Sequence, residues 1–168
     1  MSRELLQHSL VYGGILSAVM SVTFLMLMLV VNPEMWVDDY PPDIKEKFGP
    51  MSTQTHKVKK IVGPSVIFLF FGVVIWAIVQ WDNTHAEPMT FLQAFLSSFL
   101  IFTLFNLVDL LILDWLIFVT IQPRRIILPG TEGMAGYKDY AFHFYAFLKG
   151  VALSAVMSLI VAVVAWGI

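Results

Sequence analysis

The chain has 168 residues, of which 58% are hydrophobic and only 13% charged, and its net charge is −2. A soluble domain carries about twice that charged fraction, and no basic patch interleaved with aromatics is present, which sets aside soluble and nucleic-acid-binding classes. The absence of cysteine excludes disulfides, thiolate catalysis, Cys-ligated zinc and iron–sulfur clusters.

Apolar runs occupy Leu10–Val31, Ile61–Trp81, Met89–Ile121 and Tyr140–Ile168. A helix needs roughly 20 apolar residues to cross a hydrocarbon core of about 30 Å, and every run is long enough. The expected fold is therefore an all-α bundle of four transmembrane helices, over about 10–31, 61–81, 89–121 and 140–167, forming one domain over 1–168. The polar start Met1–Gln7 carries Arg3 and Glu4, and the run after it is too long for a signal-peptide core. It ends at Val30-Val31-Asn32-Pro33 without a cleavage pattern, so it reads as a retained first span.

Small residues repeat every four positions on the first span (Ser9, Gly13, Ser17, Ser21) and the fourth (Ala146, Gly150, Ser154, Ser158, Ala162). Such stripes let helices approach closely where lipid supplies no hydrophobic drive. They predict that the first and fourth spans pack together, with a homo-oligomer as the alternative.

The loop after the first span contains Pro41-Pro42-Asp43 and ends at Gly49-Pro50. These start and stop signals predict a short surface helix over Pro42–Phe48. Pro123 predicts the end of the third span. After it, Pro129-Gly130 and the glycines at 130, 133 and 136 demand turns, some with positive φ, in a cap over the mouth of the bundle. The glycine spacing matches no nucleotide-binding pattern.

Charge sets the expected orientation. Lys45, Lys47, Lys57, Lys59, Lys60, Arg124, Arg125 and Lys138 all fall in the two longer loops, against Arg3 on the other side. The positive-inside rule puts those loops in the cytoplasm and both termini outside, in a cell inner membrane. Trp36, Tyr40, Trp81 and Tyr137 near the span ends fit interfacial belts.

The third and fourth spans carry the polar residues that matter. At about 100° per residue, Thr103, Asn106, Asp109 and Asp114 share an arc of about 140°. An α-helical rise puts Asp114 and Lys149 at similar depth, roughly 12 and 14 Å inside the mouth, with His143 shallower. A lone intramembrane charge costs at least about 2.5–3.5 kcal/mol, so Lys149 is expected to pair with Asp114 or Asp109. The remaining aspartate is then protonated beside Asn106 or lines a wet cavity. The candidate pocket has Asn106, Asp109, Asp114, His143 and Lys149 in its wall and Arg124, Arg125 and Glu132 at its mouth. The competing reading makes these residues a structural clasp between the third and fourth helices. No metal or other cofactor is expected, since no second histidine shares the membrane-buried face with His143.

The strings Tyr40-Pro-Pro-Asp-Ile, Phe48-Gly-Pro-Met-Ser, Asn106-Leu-Val-Asp-Leu-Leu-Ile-Leu-Asp-Trp115, Pro129-Gly-Thr-Glu-Gly-Met and Tyr137-Lys-Asp-Tyr-Ala-Phe-His143 resemble a group of small prokaryotic multi-pass membrane proteins. The resemblance spans nearly the whole chain and implies the fold, but no activity, substrate or site residue. The glutathione-using four-helix membrane enzymes are not similar, because their Glu-Arg…Asn pattern is missing.

Three functions follow as expectations, with the lipid bilayer as the common partner. The first is binding or transport, with an anionic lipid headgroup or small anion at the cytoplasmic mouth. The second is an accessory or scaffold subunit packed on another membrane protein. The third is an enzyme on a lipid-like substrate, with Asp109, Asp114, Glu132 and His143 as acid–base candidates.

Overall fold

Four helices of the computed structural model are long and apolar enough to cross a membrane: Arg3–Val31, Thr53–Thr84, Phe91–Ile121 and Tyr140–Trp166. The structure describes residues 1–166, so the predicted end of the fourth span beyond Trp166 lies outside the described residues. No strand occurs among the described residues.

Local signals explain the helix ends. Helix α1 (Arg3–Met26) starts at Ser2, whose hydroxyl accepts from the Leu5 amide, and it finishes in one wider π turn, Leu27–Val31. The short α2 (Pro42–Phe48) forms where predicted and stops at Gly49, whose φ is +87°. Helix α3 (Thr53–Thr84) is capped by Ser52 and begins eight residues before its apolar run, because Thr53–Lys60 is helical as well. Helix α4 (Phe91–Val108) opens with a reciprocal capping box between Thr90 and Gln93. It then continues without a break as a π-helix over Asp109–Ile121. Gln122 takes a left-handed φ of 48° and Pro123 follows, as the stop signal requires. Helix α5 covers Tyr140–Trp166.

Helix α4 is the centre of the bundle, packed against both α1 and α5. This corrects the expected pairing of the two small-residue stripes, since each faces α4 instead. On one side Ser9 Oγ donates to Ser97 Oγ at 2.8 Å, and a Cβ added to Gly13 would come within 2.9 Å of Leu104. On the other, Asn106 Nδ2 donates to Ser154 Oγ at 2.9 Å, and a Cβ on Gly150 would come within 2.6 Å of Asn106 Oδ1. The physical reason is that α4 supplies bulky or polar knobs, Leu104 and Asn106, for both grooves. Two grooved faces would leave each other unfilled. Helix α3 packs mainly on α1, and its Phe70 ring stacks on Phe102 of α4 at 4.9 Å. Large apolar side chains such as Ile61, Phe68 and Val156 point outward, as suits a lipid-facing surface.

The two longer loops form a cap with its own core. Val37, Tyr40, Ile44, Ile126, Leu128 and Tyr137 bury themselves on Phe118 and Val119 of the π segment. The Tyr40 hydroxyl donates to the Ile126 carbonyl at 2.7 Å. The Tyr137 hydroxyl accepts from the Leu128 amide at 2.9 Å and bonds Thr131. Gly130 and Gly133 have φ of +80° and +76°, the predicted positive-φ turns. Gly136 has a different role: its amide donates to Asp43 Oδ2 at 3.0 Å, and any Cβ would collide with Asp43 and Pro41. The glycine lets α2 seat on the second loop.

Candidate functional site

Between the cap and the ends of α1, α4 and α5 lies a cavity of about 470 Å³. Its wall is apolar and largely aromatic, with Phe24, Trp36, Tyr40, Phe118 and Phe142 contributing. Its polar members are Asp38, Asp39, Lys45, Asp109, Asp114, His143 and Lys149. Three separate segments therefore aim ionisable side chains at one space.

The winding of α4 decides which of its residues reach that space. In an α-helix Asp109 and Asp114 would sit about 140° apart, at opposite edges of the polar arc. A π-helix bonds i to i+5, which brings residues five apart nearly into register. Asp109, Leu113, Asp114 and Phe118 all line the cavity, a spacing of four to five that fits the wider winding better than the 3.6 residues per turn of an α-helix. Runs of π-helix are rare and recur at functional sites.

Asp114 Oδ1 lies 3.0 Å from His143 Nδ1, an ion pair when the imidazole is protonated. The histidine side chain is only 6% exposed and the aspartate 26%. A carboxylate at this distance favours a proton on Nδ1, whether the ring is neutral or charged. Nε2 is left buried without a hydrogen-bond partner. The Trp36 indole N–H is also buried and unpartnered.

This geometry corrects the expected Lys149 ion pair: Lys149 lines the cavity but bonds neither aspartate. A wider helix advances less per residue, so Asp114 sits nearer the mouth than an α-helical count gives. There it meets His143, three residues into α5. Lys149 lies six residues further along, roughly 9 Å deeper. Asp109 has no hydrogen-bond or ion-pair partner among the described residues.

Other predicted site residues stand elsewhere. Asn106 is used by Ser154 and Gly150, one turn deeper, where it clasps α4 to α5. Arg125 Nη1 donates to the Leu29 carbonyl at 2.9 Å, satisfying one of the carbonyls that the end of the first span leaves free. Arg124 is exposed and outside the cavity wall. Glu132 accepts from the Gly130 amide within its own turn at 3.2 Å. The clasp and the cavity are thus both present, built from different members of one polar stripe.

Sequence reasoning missed Asp38, Asp39, Lys45 and the aromatic wall. The loop from Pro33 folds as a 3₁₀ helix through Asp39, and that compact turn brings the carboxylates back over the mouth. Asp38 is occupied at the surface by Lys59, 2.9 Å away. Lys45 Nζ donates to the Asp38 carbonyl at 3.1 Å. Water still reaches Asp39, but protein crowds it on most sides. That partial desolvation pushes its carboxyl pKa up, and nearby Asp38 and Asp114 add to the rise against Lys59 and Lys45. Glu34 anchors the same turn. Its carboxylate accepts from the Ser52 amide and hydroxyl and from Thr55 Oγ1 at the start of α3. Burial pushes its pKa up, but the hydrogen bonds from Thr55, Ser52 and Asn32 outweigh that and hold it below the ordinary value.

Compared with known proteins, the chain matches no family model, no curated protein and no solved structure.

Proposed function

We propose that this chain is a multi-pass inner-membrane protein, related to binding or transport, whose capped cavity takes a small polar ligand or lipid headgroup from the cytoplasmic side. One observation carries the reading: Asp109, Asp114, His143 and Lys149 of the long helices and Asp39 of the cap converge on a single cavity. Intramembrane ionisable groups are costly and mark ligand or ion paths by default. The orientation follows from the loops that form the cap. Together with the first turns of α3 they carry Lys45, Lys47, Lys57, Lys59, Lys60, Arg124, Arg125 and Lys138, so the positive-inside rule turns the cavity to the cytoplasm and both termini outward.

The accessory-subunit reading has less support, because Ser9 and Gly13 of one small-residue stripe and Gly150 and Ser154 of the other pack against α4 within the chain. An enzyme reading needs a general base, and His143, with Nε2 buried and unpartnered, is the candidate. No hydrogen bond joins it to a nucleophile among the described residues, so the binding reading comes first.

The test is native mass spectrometry of protein gently extracted from its own membrane. Ala146 lines the cavity, and Ala146→Trp would fill it. A discrete bound molecule in the parent, absent from the filled variant, is expected. Equal occupancy in both, or a bare mass in both, would contradict the proposal.

A further inference from the structure

Charge and polarity in the cavity are unequal in a way that selects a ligand. Asp38 is neutralised by Lys59, which leaves Asp39, Asp109 and Asp114 facing Lys45 and Lys149. Acidic groups outnumber basic ones there, and a bound anion would meet three of them. An independent observation points the same way. The His143 side chain is 6% exposed and lines the cavity, and its Nε2 lacks a partner. In the neutral tautomer that keeps its proton on Nδ1 beside Asp114, Nε2 carries a lone pair and calls for a donor. An ammonium N–H supplies that donor and a positive charge together. Phe24, Trp36, Phe118 and Phe142 surround the same space, and aromatic faces attract organic cations. No group of three or more His, Asp or Glu side chains among the described residues is placed to hold a bare metal ion.

Resting on the reading of the cavity as a ligand site, the geometry points to a primary organic amine, bound as its ammonium ion, as the ligand class. Asp114 and Asp109 receive the charge, His143 Nε2 accepts one N–H, and the rings enclose the carbon skeleton. The source is either a free amine or the headgroup of an ethanolamine lipid.

The experiment is calorimetric titration of the full chain in phosphatidylcholine nanodiscs, with empty discs subtracted, using benzylammonium, benzoate and benzyl alcohol as matched probes. Saturable binding of benzylammonium alone is expected. Asp109→Asn and Asp114→Asn should each weaken it about tenfold by removing a charge-assisted contact, and Lys149→Gln should not weaken it. Asn at 114 keeps an acceptor for His143, and Asp109 has no partner to lose, so both variants retain their packing. Adding phosphatidylethanolamine to the discs separates the sources, because competition marks the lipid and its absence marks a free amine. Benzoate binding that is lost in Lys149→Gln would overturn the ammonium class while leaving the ligand site standing. No saturable binding of any probe would overturn both.

Discussion

The Asp114–His143 pair joins the π segment of α4 to α5, and its strength can be worked from its surroundings. Nδ1 and Oδ1 are 3.0 Å apart and the histidine is almost closed off from water. Hydrogen bonds to a charged group contribute about 1.5–3 kcal/mol, and an orphaned buried donor costs about 1–3 kcal/mol. Asp114→Ala removes the acceptor and leaves the Nδ1–H without one, so it should destabilise by about 2–4 kcal/mol. His143→Phe removes the donor, and its ring keeps the contact with Phe118, whose centroid lies 4.9 Å from the imidazole. It should cost less. In the double variant neither group remains to be orphaned. A double-mutant cycle, read by reversible unfolding in mixed micelles, should therefore give a coupling of about 1.5–3 kcal/mol. Single costs that add within about 0.5 kcal/mol would mean the two side chains do not depend on one another.

Gly150→Ala should destabilise by about 1–2 kcal/mol, because its Cβ displaces Asn106 and weakens the bond to Ser154. Gly14→Ala, where nothing lies within 4 Å, is the matched control and should be neutral or slightly stabilising in the same unfolding assay. Glu34 has a folded pKa below its ordinary value of 4.5. The stability it contributes is therefore present above that value and is lost as pH falls through the folded pKa. Glu34→Gln should flatten the acid limb of a stability-against-pH curve. Asp39 has the opposite sign: its folded pKa is raised above 3.8, so stability falls as pH rises through that window. Asp39→Asn should stabilise the protein at pH 7 and be nearly neutral below pH 4. Arg125→Ala should cost about 1 kcal/mol through the lost bond to the Leu29 carbonyl and leave binding in the cavity unchanged; weakened binding would return Arg125 to the site.

Much of this architecture was legible because bilayer-crossing helices are written in composition. The four spans, the surface helix Pro42–Phe48, the stop at Pro123 and the positive-φ turns at Gly130 and Gly133 all follow from local rules. What escaped depends on winding and on tertiary return. Nothing in the apolar run Leu110–Ile121 announces a π-helix, yet that winding aligns Asp109 with Asp114 and moves Asp114 from Lys149 to His143. The five-residue spacing of the aspartates was the available signal. Asp39 was invisible as a site residue because its position depends on Glu34 pinning the loop to the start of α3, a contact 18 to 21 residues away in sequence. The small-residue stripes correctly marked close-packing faces but did not name the partner, because a groove specifies a ridge without saying which helix carries it.

The absence of cysteine gives a clean background for testing whether a water-reachable cavity opens at the lysine-rich end. A single cysteine at Ala146, in the cavity wall, can be compared with one at Leu153, exposed on the outer face of α5, using a membrane-impermeant maleimide that needs a hydrated thiolate. In inside-out vesicles Ala146→Cys should label and Leu153→Cys should not, and neither should label in intact cells. An Ala146→Cys protein that stays unlabelled in inside-out vesicles, or that labels from the outside, would contradict a cavity open to the cytoplasm.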